Sequence, residues 1–264
     1  MKVAAAQIAC ALGDIEANVR KMREFCGRAR EAGVELIVFP ELADTGYSMP
    51  VIQTEAKPWT EGAVPALQKM AKEFSLIIVS GVSERSGPVI YNSQVFIDAN
   101  GSLAASYRKT HLFAVAPGDE SACFAYGDAF VSVAAAEFRF GLSICYDLRF
   151  PEVYRALAVE HEANVLINSS AWPLPRVEHL RTLAIARAIE NQCYMILSNR
   201  VGEDAGVSLC GMSAIVDPHG ITLALGSTDR EELIEAEISK ETIAAVRDKM
   251  PVFAHRRREL YGDQ

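Results

Sequence analysis

Three short apolar runs each end in a side chain suited to acyl-transfer chemistry. Leu36-Ile37-Val38-Phe39 runs into Pro40-Glu41, Leu103–Tyr107 into Arg108-Lys109-Thr110-His111, and Phe140–Ile144 into Cys145-Tyr146-Asp147. A rigid strand end holds a reactive group accurately. A thiol can attack a carbonyl carbon, a carboxylate can move the proton, and an ammonium can stabilise the oxyanion. Taken singly, each residue has an ordinary reading. A lone cysteine after an apolar strand is usually a small buried residue, Glu41 a surface carboxylate and Lys109 a solvated charge. Spacing alone does not decide between the two.

The elements that must carry these groups alternate along the chain. Apolar runs rich in Val, Ile, Leu and Phe predict strands over Lys2–Cys10, Leu36–Phe39, Leu76–Gly81, Ser93–Asp98, Leu103–Tyr107 and Phe130–Ala134. Further strands are predicted over Phe140–Ile144, Val165–Asn168, Tyr194–Ser198, Ser213–Val216 and Glu232–Glu237. Helices are predicted over Ile15–Ala32, Val64–Phe74, Pro151–Glu160 and Arg176–Asn191. In the first, Val19, Met22, Phe25, Cys26 and Ala29 share one face. Asp14 could cap that helix and Gly33 end it, and Pro151 suits a first helical turn. Ser86-Gly87-Pro88 and Pro218-His219-Gly220 read as turns, and Asn100-Gly101 as a tight hairpin. No linker or composition shift divides the chain, so residues 1–264 are expected to form a single α/β domain.

Composition narrows the function classes. With 264 residues, 50 % hydrophobic and 23 % charged, the chain can bury a core and is not disordered. A net charge of −8 argues against a nucleic-acid partner, and Arg256-Arg257-Arg258 beside Glu259 reads as a solvated or subunit-contacting tail. No apolar window is long enough to span a membrane. Val3–Leu12 after Lys2 looks like a short secretion signal, but Gln7 interrupts it, and a first buried strand is the better reading. Cys10, Cys26, Cys123, Cys145, Cys193 and Cys210 include no C-x-x-C pair, which favours free thiols and a cytoplasmic protein. No two of the five histidines are close enough to form a zinc pair. The chain has no Gly-Lys dipeptide for a phosphate loop and no G-x-G-x-x-G turn. Gly141-Leu142-Ser143-Ile144-Cys145 lacks the last glycine of a serine-hydrolase elbow, and its exposed end is Cys145.

The sequence around the three strand ends resembles the catalytic blocks of the nitrilase superfamily of carbon–nitrogen hydrolases. The resemblance lies in Phe39-Pro40-Glu41 with Thr45-Gly46-Tyr47, in Tyr107-Arg108-Lys109-Thr110-His111-Leu112-Phe113, and in Cys145-Tyr146-Asp147-Leu148-Arg149-Phe150-Pro151. Asn168-Ser169-Ser170-Ala171-Trp172, Ala186–Gln192, Ala4–Gln7 and Met250–Phe253 extend it over essentially the whole chain. It implies a four-layer α-β-β-α sandwich and a triad of Glu41, Lys109 and Cys145, with Glu120, the neighbour of Asp119, as a second glutamate. It implies a thioester mechanism without metal or organic cofactor, in which the Tyr146 N–H and Lys109 meet the oxyanion. A nearby cation is expected to favour the Cys145 thiolate.

Cys-Tyr-Asp-Leu-Arg-Phe-Pro is similar to the omega-amidase and deaminated-glutathione amidase branch, so the expected substrate is an ω-amide such as 2-oxoglutaramate. Arg149 and Arg176 are the candidates to grip a substrate carboxylate, and Tyr47 and Trp172 to line the pocket. Arg149 could instead turn outward to Glu152. An N-carbamoyl amine hydrolase is the alternative within enzymes, and a catalytically silent binding subunit the alternative outside them. The resemblance also implies a homodimer or larger homo-oligomer.

Overall fold

The computed structural model describes residues 1–115 and 119–261. The chain runs β1 (Lys2–Gln7), α1 (Ile15–Glu31), β2 (Leu36–Val38), α2 (Met49–Glu55), α3 (Ala63–Phe74), β3 (Ile77–Ser86), β4 (Val89–Ile97), β5 (Leu103–Arg108), β6 (Ser132–Ala135) and β7 (Phe138–Ile144). It continues with α4 (Pro151–Val159), β8 (Val165–Ser170), α5 (Val177–Asn191), β9 (Tyr194–Asn199), β10 (Val201–Asp204), β11 (Val207–Cys210), β12 (Ala214–Val216), β13 (Thr222–Leu225), β14 (Glu232–Glu237) and α6 (Lys240–Lys249).

Two six-stranded sheets lie face to face, in the orders β14-β1-β2-β3-β4-β5 and β13-β12-β9-β8-β7-β6. Each is built around three parallel strands, β1-β2-β3 in one and β7-β8-β9 in the other, with antiparallel strands outside. Apart from β3, which runs on to Ser86, the parallel strands are short and largely apolar, as strands covered on both faces are. Alternation along β1 makes this explicit. Val3 and Ala5 pack toward the second sheet with Leu36, Val38, Phe140 and Ile196, whereas Ala4 and Ala6 pack under α1 and α3 with Met22, Phe25, Leu67 and Met70. Phe96 and Phe140 meet between the sheets at 5.6 Å. Leu157 of α4 and Leu180 and Ala184 of α5 cover the second sheet's outer side. The four layers are therefore helix, sheet, sheet, helix, as the resemblance implied.

Polar ties cross the layers where the backbone comes closest. Ser198 Oγ donates to the Ala6 carbonyl at 2.7 Å, and Ser169 Oγ donates to the Phe39 carbonyl at 2.7 Å. The second bond pins the end of β2 onto β8, two residues before Glu41.

Several boundaries differ from the sequence reading, each for a local reason. β1 stops at Gln7 because that side chain turns into the far end of the chain, donating to the Ser227 and Arg230 carbonyls and accepting from the Ser213 N–H. β3 and β4 run on to a two-residue turn at Gly87-Pro88, with Ser86 paired to Val89. The Asn100-Gly101 turn does join β4 to β5, but as a wider loop. Asp98 Oδ1 accepts from both the Asn100 and Ser102 N–H groups and holds it open. α2, α6 and the β10–β11 hairpin have no counterpart in the sequence reading. α6 is mostly polar and is capped by Ser239, whose Oγ accepts from the Thr242 N–H at 3.3 Å. β10 and β11 are four residues each and form a separate two-stranded sheet, too short for alternation to register. Asp14 does cap α1, accepting from the Ala17 N–H at 2.9 Å. All six cysteines are free. Among the described residues no helix is long and apolar enough to cross a membrane.

Candidate active site

Glu41 leaves the C-terminal end of β2 in a loop pressed against β3. Gly81 makes that approach possible. A Cβ there would fall 2.5 Å from Glu41 Cα and 2.6 Å from the Pro40 carbonyl oxygen. The two segments also exchange hydrogen bonds, Gly81 N–H to the Pro40 carbonyl at 3.1 Å and Ala43 N–H to the Gly81 carbonyl at 3.0 Å. Asp44 locks the loop further, accepting from the Ser83 N–H and hydroxyl and from the Thr45 N–H. Gly81→Ala is therefore expected to lower stability by about 1–3 kcal/mol, the usual cost of overpacking, and to displace Glu41. Chemical denaturation of the variant beside the wild type measures this, and an unchanged midpoint would contradict it.

Cys145 ends β7 with φ +41°, a left-handed conformation that non-glycine residues seldom adopt. The chain turns there from strand into a short 3₁₀ turn over Cys145–Arg149, which brings Cys145 to a cavity wall. Strain of this kind persists only when the surroundings over-determine it, and Asp147 does so. Its Oδ2 accepts from the Ile144 N–H at 2.9 Å and the Tyr107 hydroxyl at 2.7 Å, and its Oδ1 accepts from the His111 N–H at 3.1 Å. One carboxylate thus joins the cysteine turn to the segment that carries Lys109.

Lys109 is completely buried between two glutamates. Its Nζ lies 2.7 Å from Glu41 Oε1 and 2.7 Å from Glu120 Oε1. Glu41 Oε1 also accepts from Asn92 Nδ2 at 2.8 Å, and Oε2 accepts from the Ala171 N–H at 2.9 Å. Glu120 Oε1 accepts from the Tyr47 hydroxyl at 2.8 Å, and its Oε2 from the Phe113 N–H at 2.8 Å. Asp119 points elsewhere, capping its own turn through the Ser121 N–H. Glu120 and not Asp119 therefore joins the cluster.

The charges in this cluster do not cancel, since two carboxylates share one ammonium. Burial works against the Lys109 ammonium, but Glu120 and Glu41 outweigh it and hold its pKa well above the ordinary lysine value. Burial pushes the Glu120 carboxyl up, with Lys109 opposing and Glu41 adding to the rise. Burial also pushes the Cys145 thiol well above its usual range, Glu41 adds to this, and Lys109 offsets it only in part. Lys109 does favour the thiolate, as expected, but burial and Glu41 outweigh it. Lys109 is already shared between two carboxylates, which limits what it does for the sulfur.

Cys145 opens onto a cavity of about 460 Å³. Tyr47, Tyr146, Arg149, Trp172 and Arg176 all line it. The Arg149 guanidinium lies 4.7 Å from the Trp172 ring centre and 3.4 Å from His179 Nδ1, turned to the cavity and away from Glu152. Arg176 lies 5.7 Å from the Phe113 ring centre. Among the described residues neither arginine has a carboxylate within ion-pair distance. Trp172 is buried and anchored at both ends, its Nε1 donating to the Arg176 carbonyl and its N–H to Asn199 Oδ1. The β10–β11 hairpin supplies another wall through Asp204 and residues 206–209. Asp204 itself is paired with the buried Arg200 and accepts from the Tyr47 N–H at 2.8 Å.

Sequence reasoning missed Asn92, the Ala171 N–H, Asp147 as a clamp, and the hairpin. A polar residue beside the predicted strand Ser93–Asp98 was the available signal for Asn92. The Ala171 N–H had none, since a backbone group leaves no trace in side-chain type.

The chain is similar to known proteins along nearly its full length. Residues 2–248 match the family model for carbon-nitrogen hydrolases. The chain is 37 % identical over 247 residues to the 2-oxoglutaramate amidase of Bacillus subtilis (strain 168), covering 92 % of this chain and 93 % of that protein. It is 30 % identical over 253 residues to the omega-amidase NIT2 of Homo sapiens, covering 93 % of this chain and 91 % of that protein. The crystal structure of Saccharomyces cerevisiae Nit3, a member of branch 10 of the nitrilase superfamily, superposes with a TM-score of 0.88 at 30 % identity, over 98 % of this chain and 96 % of that one. Agreement along nearly the full length, in sequence and in fold alike, makes the chain a member of the carbon–nitrogen hydrolases and an amidase of the nitrilase superfamily.

Proposed function

We propose that the enzyme hydrolyses the ω-amide of a small dicarboxylate, with 2-oxoglutaramate as the leading candidate, through a thioester on Cys145. One observation carries the substrate class. The cavity beside the thiol holds two guanidinium groups, Arg149 and Arg176, and neither is neutralised by a carboxylate of the described chain. Both are half-buried on the cavity wall, and a substrate carboxylate would supply the missing charge in a bidentate pair. The relatives named 2-oxoglutaramate amidase and omega-amidase support the same class. The cavity also has room for a longer ω-amide, so deaminated glutathione is the second reading.

In this mechanism Cys145 Sγ attacks the amide carbon as Glu41 takes the thiol proton. The two events must be coupled, because burial and Glu41 both disfavour a free thiolate. Glu41 Oε2 and the sulfur share a neighbour in the Ala171 N–H, which bonds to the carboxylate and also favours the ionised sulfur. Lys109 and the Tyr146 N–H stabilise the tetrahedral oxyanion. Tyr146 is second in its 3₁₀ turn, where an N–H has no partner within the turn. Protonated Glu41 then returns its proton to the leaving nitrogen, the C–N bond breaks and ammonia departs. Glu41 next takes a proton from water, the hydroxide attacks the thioester carbon, and collapse expels the Cys145 sulfur, which recovers the proton from Glu41. Glu120 fixes Lys109 and orients the substrate amide.

Ammonia release from purified protein tests the assignment. The panel is 2-oxoglutaramate, deaminated glutathione, glutamine, a carbamoyl amine and an aliphatic nitrile. The highest kcat/KM is expected for 2-oxoglutaramate, and a preference for the carbamoyl amine or the nitrile would overturn the proposal. Arg149→Ala should raise KM strongly for a carboxylate-bearing amide and far less for a neutral amide of equal length. The expected loss is about 1.5–3 kcal/mol, the scale of a hydrogen bond to a charged group. Equal loss on both substrates with a lowered melting temperature would instead make Arg149 structural.

A further inference from the structure

Asn92 lies on β4, completely buried, and touches both members of the Glu41–Lys109 pair. Its Nδ2 donates to Glu41 Oε1 at 2.8 Å, the same oxygen that Lys109 Nζ reaches at 2.7 Å. Its backbone carbonyl accepts from the Lys109 N–H at 2.8 Å. Its Oδ1 has no hydrogen-bond partner among the described residues. A buried amide oxygen left unsatisfied is costly, and an apolar side chain of similar shape would avoid that cost. The residue is therefore poorly explained by packing, and its value lies in the donor it offers.

We propose that Asn92 is a positioning residue for the reaction, its amide holding the Glu41 carboxylate and its carbonyl holding Lys109 so that Glu41 Oε2 faces the thiol proton. The inference rests on the reading of Glu41 as the base. Asn92 and Lys109 together occupy both lone pairs of Oε1. Oε2 receives one N–H, from Ala171, and keeps a lone pair for the proton. A neutral donor favours the carboxylate without adding a charge to the cluster. An aspartate at the same place would put a third carboxylate around Lys109. The charged and titratable groups that face Glu41 are Lys109, Glu120, Cys145, Tyr47 and Arg200. Asn92 does not line the cavity, so its effect must pass through Glu41 or Lys109 and not through substrate contact.

The experiment combines two pH profiles with a double-mutant cycle, all read as ammonia release from 2-oxoglutaramate or the best amide of the panel. Asn92→Asp keeps the side-chain shape and replaces the donor by a carboxylate. It should lower kcat at neutral pH by about a hundredfold with KM within about threefold of the wild type, the scale of a lost acid–base contribution. Activity should return as the pH is raised, with the acid limb of kcat/KM displaced upward by about two units or more. Asn92→Ala should move the limb in the same direction by less. In a Glu41→Gln background, Asn92→Ala should cost less than about twofold more, because residues that act as a unit are not additive. A pH-independent loss with an unmoved limb, or a full repeat of the loss in the Glu41→Gln background, would overturn the proposal. Should Asn92→Asp fail to fold, the cycle with Asn92→Ala decides alone. Wild-type turnover in Glu41→Gln would sink the base assignment itself, a different result from either.

Discussion

Cys145→Ala is expected to abolish amide hydrolysis while the protein still folds and melts close to the wild type. The thioester needs the sulfur, and no other thiol lines the cavity. Cys10, Cys26 and Cys193 are held in other parts of the core, so substituting any of them should leave turnover largely in place. The change removes one atom from a side chain already at the edge of the core, which places its stability cost at about 1 kcal/mol or less. Cys145→Ser should be nearly as damaging. Its hydroxyl is far harder to ionise than a thiol, and burial and Glu41 already work against the anion at this position. Mass spectrometry of the wild type quenched during turnover should show an acyl adduct on the peptide containing Cys145, absent from both variants. Full activity in Cys145→Ala would sink the thioester mechanism.

Lys109→Met is expected to cost both activity and stability, and the two losses should separate. Two carboxylates, Glu41 and Glu120, converge on the Lys109 ammonium at 2.7 Å each inside a dry cluster. Removing the cation leaves like charges buried side by side, and breaking a buried ion pair in this way costs about 3–5 kcal/mol. One carboxyl will take up a proton to relieve the repulsion. Burial already pushes Glu120 upward and Glu41 adds to that rise, so Glu120 is the group that should protonate. The double variant Lys109→Met/Glu120→Gln should therefore recover much of the lost stability, because it removes the second carboxylate along with the cation. It should not recover activity. The oxyanion has lost its ammonium, a change worth about a hundredfold or more in rate. Denaturation curves and ammonia release on the three proteins provide the check. If the double variant is no more stable than Lys109→Met, the cluster is not an over-charged carboxylate pair held by one cation.

Glu41, Lys109 and Cys145 stand out in the sequence because each follows a short apolar run, and buried strands are short apolar runs. Sheets covered by helices are legible for the same reason, since strands that are apolar on both faces need cover on both sides, whereas the four-layer order came from the family resemblance. The turns at Gly87-Pro88 and Asn100-Gly101 carry their own local chemistry, and so does the Asp14 cap. The carboxylate to be paired with Lys109 is a different matter. Asp119 and Glu120 are neighbours in sequence, and only the direction of the 3₁₀ turn over Glu120–Ala122 sends one to Lys109 and leaves the other capping Ser121.

What tertiary structure alone decided is everything that depends on two distant segments meeting. The upward shift of the Cys145 thiol could not be read from a lysine 36 positions earlier in the chain. It depends on how many carboxylates share that lysine, and one of them arrives from β2. The orientation of Arg149 toward Trp172 depends on where β8 ends, not on the three residues that separate it from Cys145. Asn92 acquires its place from sheet register, which sets its carbonyl against the Lys109 N–H while its side chain reaches Glu41 across the layer. The sequence by itself determined which side chains can do the chemistry, because type and local pattern are carried in the chain. Their electrostatic surroundings, their partners and the cavity they share were decided by folding, because burial and charge act through space and are set by neighbours distant in the chain, such as Ala171, 130 positions from Glu41.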